Sequence, residues 1–340
     1  MRTRLPFAAR SALAALSAIA LAAGSAVSAQ AATPLPVTYN WTTGFLGNLP
    51  NADKAPAGAI TVDAHGRLAS CSSPGRLPLI LVHGSWESEG TNWAAAAPLL
   101  HNAGFCVYTF NYGGNPHDVM NGYGPIATSA GQLGAFVDKV RAATGSTQVD
   151  LIGHSQGGMM PRYYIKFGHS YTGDSFGAGT SKIRRLVALA PSNHGTTLSG
   201  IADLGKVLGL LPAFAVSQPA AIDQTIGSAF MNKLDTCPNG LPSADICAGD
   251  QVQYSVLETD GDQIVTPYTN AFLKPNPAAK GSLTNITVQS GCALDRSEHL
   301  ALTYDSYAYG LVLTELGIAD PSSVPGARPS CKFIAPYVGG

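Results

Sequence analysis

The sequence predicts an α/β protein with a mostly parallel central sheet, helices on both of its faces and a small cap insertion. Two observations point there. Short runs of consecutive apolar residues, such as Leu79-Ile80-Leu81-Val82, alternate with longer stretches whose apolar residues fall on one helical face. A strand that is apolar at every position belongs in a sheet covered on both sides. The composition agrees: of 340 residues, 45% are apolar and 12% are charged, which excludes a disordered, solvated chain. A net charge of −1 gives no bulk attraction for nucleic acid or an acidic lipid surface, so no nucleic-acid partner is expected.

The elements follow in order. Arg2, Arg4 and Arg10 precede an apolar stretch from Ser11 to Ala23, and Ala29-Gln30-Ala31 offers a small-x-small cleavage site. Residues 1–31 read as a secretory signal peptide, too interrupted by Ser and Gly for a stable membrane span; a retained anchor is the alternative. Residues 32–340 are then one domain, secreted and expected to be a monomer. Its first part, 32–77, carries Pro34, Pro36, Pro50, Pro56 and Pro74 and reads as an irregular arm. Leu79 to Val82 is a strand, Trp93 to Ala103 a helix capped by Asn92, and Phe105 to Phe110 a strand. Pro125 to Thr144 places Leu133, Phe136, Val137 and Val140 on one helical face and stops at Gly145. Val149 to Ile152 is a strand and Gln156 to Phe167 a helix; Arg185 to Leu189, Val252 to Glu258 and Leu283 to Gln289 are strands, and Tyr304 to Leu316 a closing helix. Between about 195 and 250 the alternation fails; this apolar insertion is either a cap over a pocket, with Leu208 and Leu211 facing a slot for substrate, or an extra core helix in which they pack internally.

The chemistry starts at Gly153-His154-Ser155-Gln156-Gly157. A G-x-S-x-G run between an apolar strand and a helix is a nucleophile elbow: the sharp turn exposes the serine, and the glycines remove Cβ atoms that would clash. A serine needs an imidazole to take its proton, and the imidazole needs a carboxylate to fix its tautomer. In this chain order, Ser then acid then His, His299 is the one histidine after residue 194. The acid belongs in the loop after Val252–Glu258, where Asp262 is favoured over Asp260, with Glu258 third. Negative charge developing on a substrate carbonyl needs N–H donors. Gln156, directly after the nucleophile, is one, and Ser85 in His83-Gly84-Ser85-Trp86 is the other. Six cysteines, Cys71, Cys106, Cys237, Cys247, Cys292 and Cys331, suit three disulfides in an exported chain, in any of about 15 pairings. None has C-x-x-C spacing, so no metal site is expected, and the chemistry needs no cofactor.

These residues resemble a known family. The Leu-Val-His-Gly run (81–84), Phe-Asn-Tyr-Gly (110–113), Gly-His-Ser-Gln-Gly-Gly (153–158) and Ala-Pro-Ser-Asn-His-Gly-Thr (190–196) are similar to the secreted bacterial class 2 lipases of the α/β-hydrolase superfamily. The later half, in Ala-Val-Ser-Gln-Pro (215–219), Gln-Thr-Ile-Gly-Ser-Ala (224–229) and Asp-Gln-Ile-Val-Thr-Pro (262–267), resembles Candida antarctica lipase B, although His154 stands where that enzyme has a tryptophan. The resemblance implies Ser155, Asp262 and His299 as a triad and Thr196, Gln224 and Ile264 along an acyl pocket. It also implies the pairs Cys71–Cys106 and Cys292–Cys331, leaving Cys237 with Cys247. The function expected is a serine carboxylester hydrolase, foremost a triacylglycerol lipase. Its partner is then a lipid or ester substrate, the lipid presented at an oil–water interface. The rival readings are a short-chain or polyester esterase and a non-catalytic binding protein on a hydrolase scaffold.

Overall fold

Four consecutive side chains, Leu79 to Val82, have no solvent exposure at all, and each is worth roughly 1.5–3 kcal/mol of burial. Burial on both sides therefore fixes this segment near the centre of a sheet. In the computed structural model, which describes residues 33–62 and 67–340, it is β2 of a seven-stranded sheet among the described residues. The others are β1 (Ala59–Ile60), β3 (Val107–Thr109), β4 (Val149–His154), β5 (Ile183–Leu189), β6 (Gln253–Glu258) and β7 (Leu283–Thr287). Their order is β1-β3-β2-β4-β5-β6-β7 and every pair is parallel. Side chains alternate between two cores: Leu79, Leu81, Ile152 and Val187 pack on one face, and Ile80, Val82, Leu151 and Leu186 on the other. The chain from Pro34 to Gly340 forms one unit. The expected signal segment, 1–31, lies outside the described residues.

Helix Ile126–Thr144 buries Leu133, Val137 and Val140 and ends at Gly145, whose φ of 69° is the left-handed stop that glycine permits. Two expectations are corrected. The first concerns the helix after β2, which does not start at Asn92. Ser88 caps a single turn, Glu89–Asn92, through a reciprocal capping box with Thr91. The chain then leaves helical geometry at Trp93 (φ −113°, ψ 15°) and resumes over Ala96–Asn102 without a side-chain cap. The Asn92 amide is instead turned inward, 3.2 Å from His154 Nδ1. The second concerns the proline-rich arm, which is not wholly irregular: Ala59–Ile60 adds the edge strand beside β3. The closing helix runs Ser306–Glu315 because Asp305 caps it, accepting from the N–H of Tyr307 and Ala308.

Residues 195–250 fold as four short helices, Leu198–Val207, Pro212–Ser217, Pro219–Gln224 and Ala229–Leu234, followed by a loop closed by Cys237–Cys247. Lys166 anchors that loop from beneath, its Nζ donating to the carbonyls of Leu234 (2.6 Å), Ala244 (2.8 Å) and Thr236 (3.2 Å). The other disulfides are Cys71–Cys106, which ties the arm to the start of β3, and Cys292–Cys331, which pins the tail. Among the described residues no helix is long and apolar enough to cross a membrane.

Candidate active site

Because all strands are parallel, the loops leaving β2, β4, β6 and β7 gather at one edge of the sheet, where open α/β sheets hold their ligands. The turn after β4 is a single residue. Ser155 links β4 directly to helix Gln156–Phe167 and adopts φ 54°, ψ −122°, a conformation that costs an L residue about 1–3 kcal/mol. The chain tolerates it because its neighbours are glycine: a Cβ on Gly153 would lie 1.9 Å from the Gly157 carbonyl oxygen, and one on Gly157 would lie 2.1 Å from that of Val82. The surrounding packing thus holds the strained serine in place.

The loops after β6 and β7 bring in a carboxylate and an imidazole. Asp262 Oδ1 accepts the N–H groups of Ile264 and Val265, both at 2.7 Å, and Oδ2 lies 2.6 Å from His299 Nδ1. A carboxylate held this way only accepts, so Nδ1 carries the hydrogen and Nε2 presents its lone pair. His299 is wholly buried, and its Nε2 makes no hydrogen bond. Burial works against the imidazolium, but the charge and hydrogen bond of Asp262, with Glu87 and Glu298 behind it, hold the His299 pKa above its ordinary value. Asp260 is exposed, and its N–H is turned to Gln289. Glu258 is buried; burial, and then the Asp262 charge, push its carboxyl well above the usual range.

The loop after β2 passes close to the serine: a Cβ on Gly84 would lie 3.1 Å from Ser155 Cβ. Ser85 and Gln156 are joined side chain to side chain, Ser85 Oγ donating to Gln156 Oε1 at 2.7 Å. Gln224 Nε2 donates to Ser85 Oγ at 2.9 Å, and its Oε1 accepts from Ser192. Thr196 lies next in this network. Its N–H bonds the Gln224 carbonyl at 2.8 Å, and its hydroxyl donates to the Ile264 carbonyl. The residues expected for an oxyanion hole and an acyl pocket are therefore brought together, but as a buried polar network. The apolar space lies one residue past Ser85. There Trp86, Val119, Met120, Tyr123, Leu210 and Phe214 line a cavity of about 320 Å³. Leu211, expected to face the slot, points outward at 76% exposure, while its neighbours Leu210 and Phe214 line the cavity.

Three further groups escaped the sequence reading. His83 stacks on Tyr112 at 4.3 Å, and burial lowers its pKa to about 4, so it is a neutral imidazole. Glu87 and His154 form a buried pair at 2.9 Å behind His299. The sequence signal for that pair was an acid in the loop after β2, three residues past Gly84, and the histidine before the nucleophile. His194, Asp235 and Asp245 set one ligand atom each within 4.8 Å of one another. His194 Nε2 is already on Asp245 at 3.0 Å, however, and the cations of Arg162 and Lys166 act on both aspartates. This is a hydrogen-bonded, ion-paired network more than a vacant ligand set.

A parallel sheet with a serine on a strained strand-to-helix turn, and an imidazole–carboxylate pair delivered by later loops, defines an α/β-hydrolase. The family described as Lipase (class 2) matches residues 76–238, the segment that runs from β2 through the serine turn to the disulfide loop. Over that segment the chain is similar to these lipases. Triacylglycerol lipases from Pseudarthrobacter phenanthrenivorans and Burkholderia plantarii are each 27% identical to it over 252 residues. The match covers 72% of this chain and 68% and 60% of those proteins. Lipase B of Aspergillus fumigatus superposes with a TM-score of 0.57 at 20% identity, covering 83% of this chain and 62% of that one, a likeness of fold.

Proposed function

We propose that this carboxylic ester hydrolase cleaves acylglycerols through an acyl-enzyme on Ser155. The single observation that carries the reading is the Asp262–His299 pair at 2.6 Å, whose buried Nε2 has no other partner, at the edge of the sheet that holds the strained serine. His299 Nε2 takes the Ser155 proton as Oγ attacks the ester carbonyl, and Asp262 stabilises the imidazolium that results. The backbone N–H groups of Ser85 and Gln156 receive the oxyanion; their side chains are occupied by each other and Gln224, which holds the two peptides in register. His299 then returns its proton to the departing alcohol, and water repeats the sequence on the acyl-enzyme. The cavity beside Trp86 suits an aliphatic chain. Leu198, Leu211, Phe214, Ile222 and Ile226 are exposed on the short helices of 195–250 and the turns between them, as a fatty substrate at an oil–water interface would require. Three disulfides among the described residues support action in an oxidising compartment, consistent with a secreted enzyme.

The test is a series of p-nitrophenyl esters and triglyceride emulsions of increasing acyl length, run on the wild type and on Ser155→Ala. The alanine variant should fold and lose at least about three decades of kcat. Retention of a tenth of the turnover refutes the nucleophile. A rate that falls steadily beyond butyrate assigns the enzyme to short-chain esters instead of acylglycerols.

A further inference from the structure

Directly behind His299 lies a second carboxylate–histidine pair that the reaction above leaves unused. Glu87 and His154 are buried to 2% and 0% side-chain exposure and meet at 2.9 Å between Oε2 and Nδ1. His154 Nε2 lies 3.0 Å from the His299 carbonyl oxygen, which only accepts, so that nitrogen carries a hydrogen. The two imidazoles sit 4.9 Å apart. The same Glu87 oxygen accepts the Gly84 N–H at 2.8 Å, one residue before Ser85. His154 is itself the last residue of β4, bonded covalently to Ser155. One pair therefore touches all three parts of the site: the nucleophile turn through the chain, the base through its carbonyl, and the oxyanion loop through Gly84.

We propose that Glu87 and His154 are positioning residues that lock the main chain of His299 and the Gly84-Ser85 loop onto the Ser155 turn. The proposal rests on the roles given above to Ser155, His299 and Ser85. Neither residue touches substrate; each acts by fixing where Nε2 and the oxyanion donors stand. The effect is kinetically large because a misplacement of about 1 Å costs about 100-fold in rate, and a lost oxyanion donor costs a similar amount. A buried pair that only filled the core would change stability and leave turnover of the folded enzyme alone.

The test compares Glu87→Ala, Glu87→Gln and His154→Phe with the wild type on p-nitrophenyl butyrate, well below each melting temperature. It adds the rate at which a p-nitrophenyl phosphonate labels Ser155. Alanine at 87 should lower kcat by about 10- to 100-fold while KM moves by less than roughly threefold, with the labelling rate falling in parallel. Phenylalanine at 154 fills the ring volume but removes the donor to His299, and should do the same. Glutamine at 87 keeps an oxygen to accept the Gly84 N–H and fills the same buried space, so it should recover kcat to within about fivefold of wild type. If Glu87→Ala does not fold, His154→Phe and Glu87→Gln decide the matter between them. Unchanged kcat and labelling with only a lowered melting temperature overturns the proposal, as does a Gln variant no better than Ala. Ser155→Ala run in parallel keeps the two readings apart. Should that variant keep its activity, the assignment of the site itself has failed, not only the positioning role of Glu87 and His154.

Discussion

At the scale of single residues, the acid–base behaviour of His299 gives the clearest test. Its pKa stands above the ordinary 6.5 because Asp262 outweighs burial, with Glu87 and Glu298 adding to the same side. The base is the neutral imidazole, so activity is lost as pH falls through this raised pKa, and the acid limb of kcat/KM should have its midpoint above 6.5. Asp262→Asn leaves burial without its counterweight: the midpoint should move below that of the wild type, and kcat should fall by about four decades as the tautomer is lost. A pH–rate profile of both proteins on a soluble ester checks this; an unshifted limb in the Asn variant would mean that another group titrates. The serine was legible in the sequence at this scale, because G-x-S-x-G after an apolar strand is a local constraint between near neighbours. Asp262 over Asp260 was a preference in the sequence; in the fold the Ile264 and Val265 amides hold the Asp262 carboxylate against His299, which supports that choice.

At the scale of elements, the strands and long helices were read from periodicity, and their ends moved where a cap was misjudged. Asn92 looked like a cap because it precedes an apolar run, yet Ser88 with Thr91 three residues on makes the stronger capping box. The segment 195–250 was legible only as apolar and irregular, since four helices of ten residues or fewer carry too little period to place their inward faces. That is why Leu211 was expected in the slot and Leu210 and Phe214 occupy it. The corresponding prediction concerns the pair that lines the cavity. Four buried acyl methylenes are worth about 3 kcal/mol of transfer free energy, or roughly 100-fold in the specificity constant at most. Leu210→Ser with Phe214→Ser should flatten the rise from acetyl to hexanoyl esters and spare acetyl hydrolysis. Equal loss on every ester, together with a lowered melting temperature, would mean that these side chains serve the core and not the substrate.

At the scale of the whole molecule, the site hangs on contacts far apart in the chain. The C-terminal tail reaches the His299 loop: Arg296 N–H bonds the Ile334 carbonyl, and Tyr337 N–H bonds Glu298. Cys292–Cys331, with a sequence separation of 39, closes this unit. The chain-entropy estimate gives such a loop about 4 kcal/mol at best, against about 3 kcal/mol for the separation of 10 in Cys237–Cys247. Cys292→Ala with Cys331→Ala should therefore lower the denaturation midpoint more than the equivalent change at 237 and 247. It should also raise the temperature sensitivity of activity; chemical denaturation and residual activity after heating test both. The sequence by itself determined the α/β class, the serine turn, His299 as the base candidate and the even cysteine set, because each rests on local pattern, chain order or a count. Only the tertiary structure decided that Glu87 and His154 stand behind His299, that Ser85, Gln156 and Gln224 share one network, and which leucines face the cavity. Those relations join residues dozens of positions apart, and they are set by how β2, β4, β6 and β7 line up in parallel and deliver their loops to one edge.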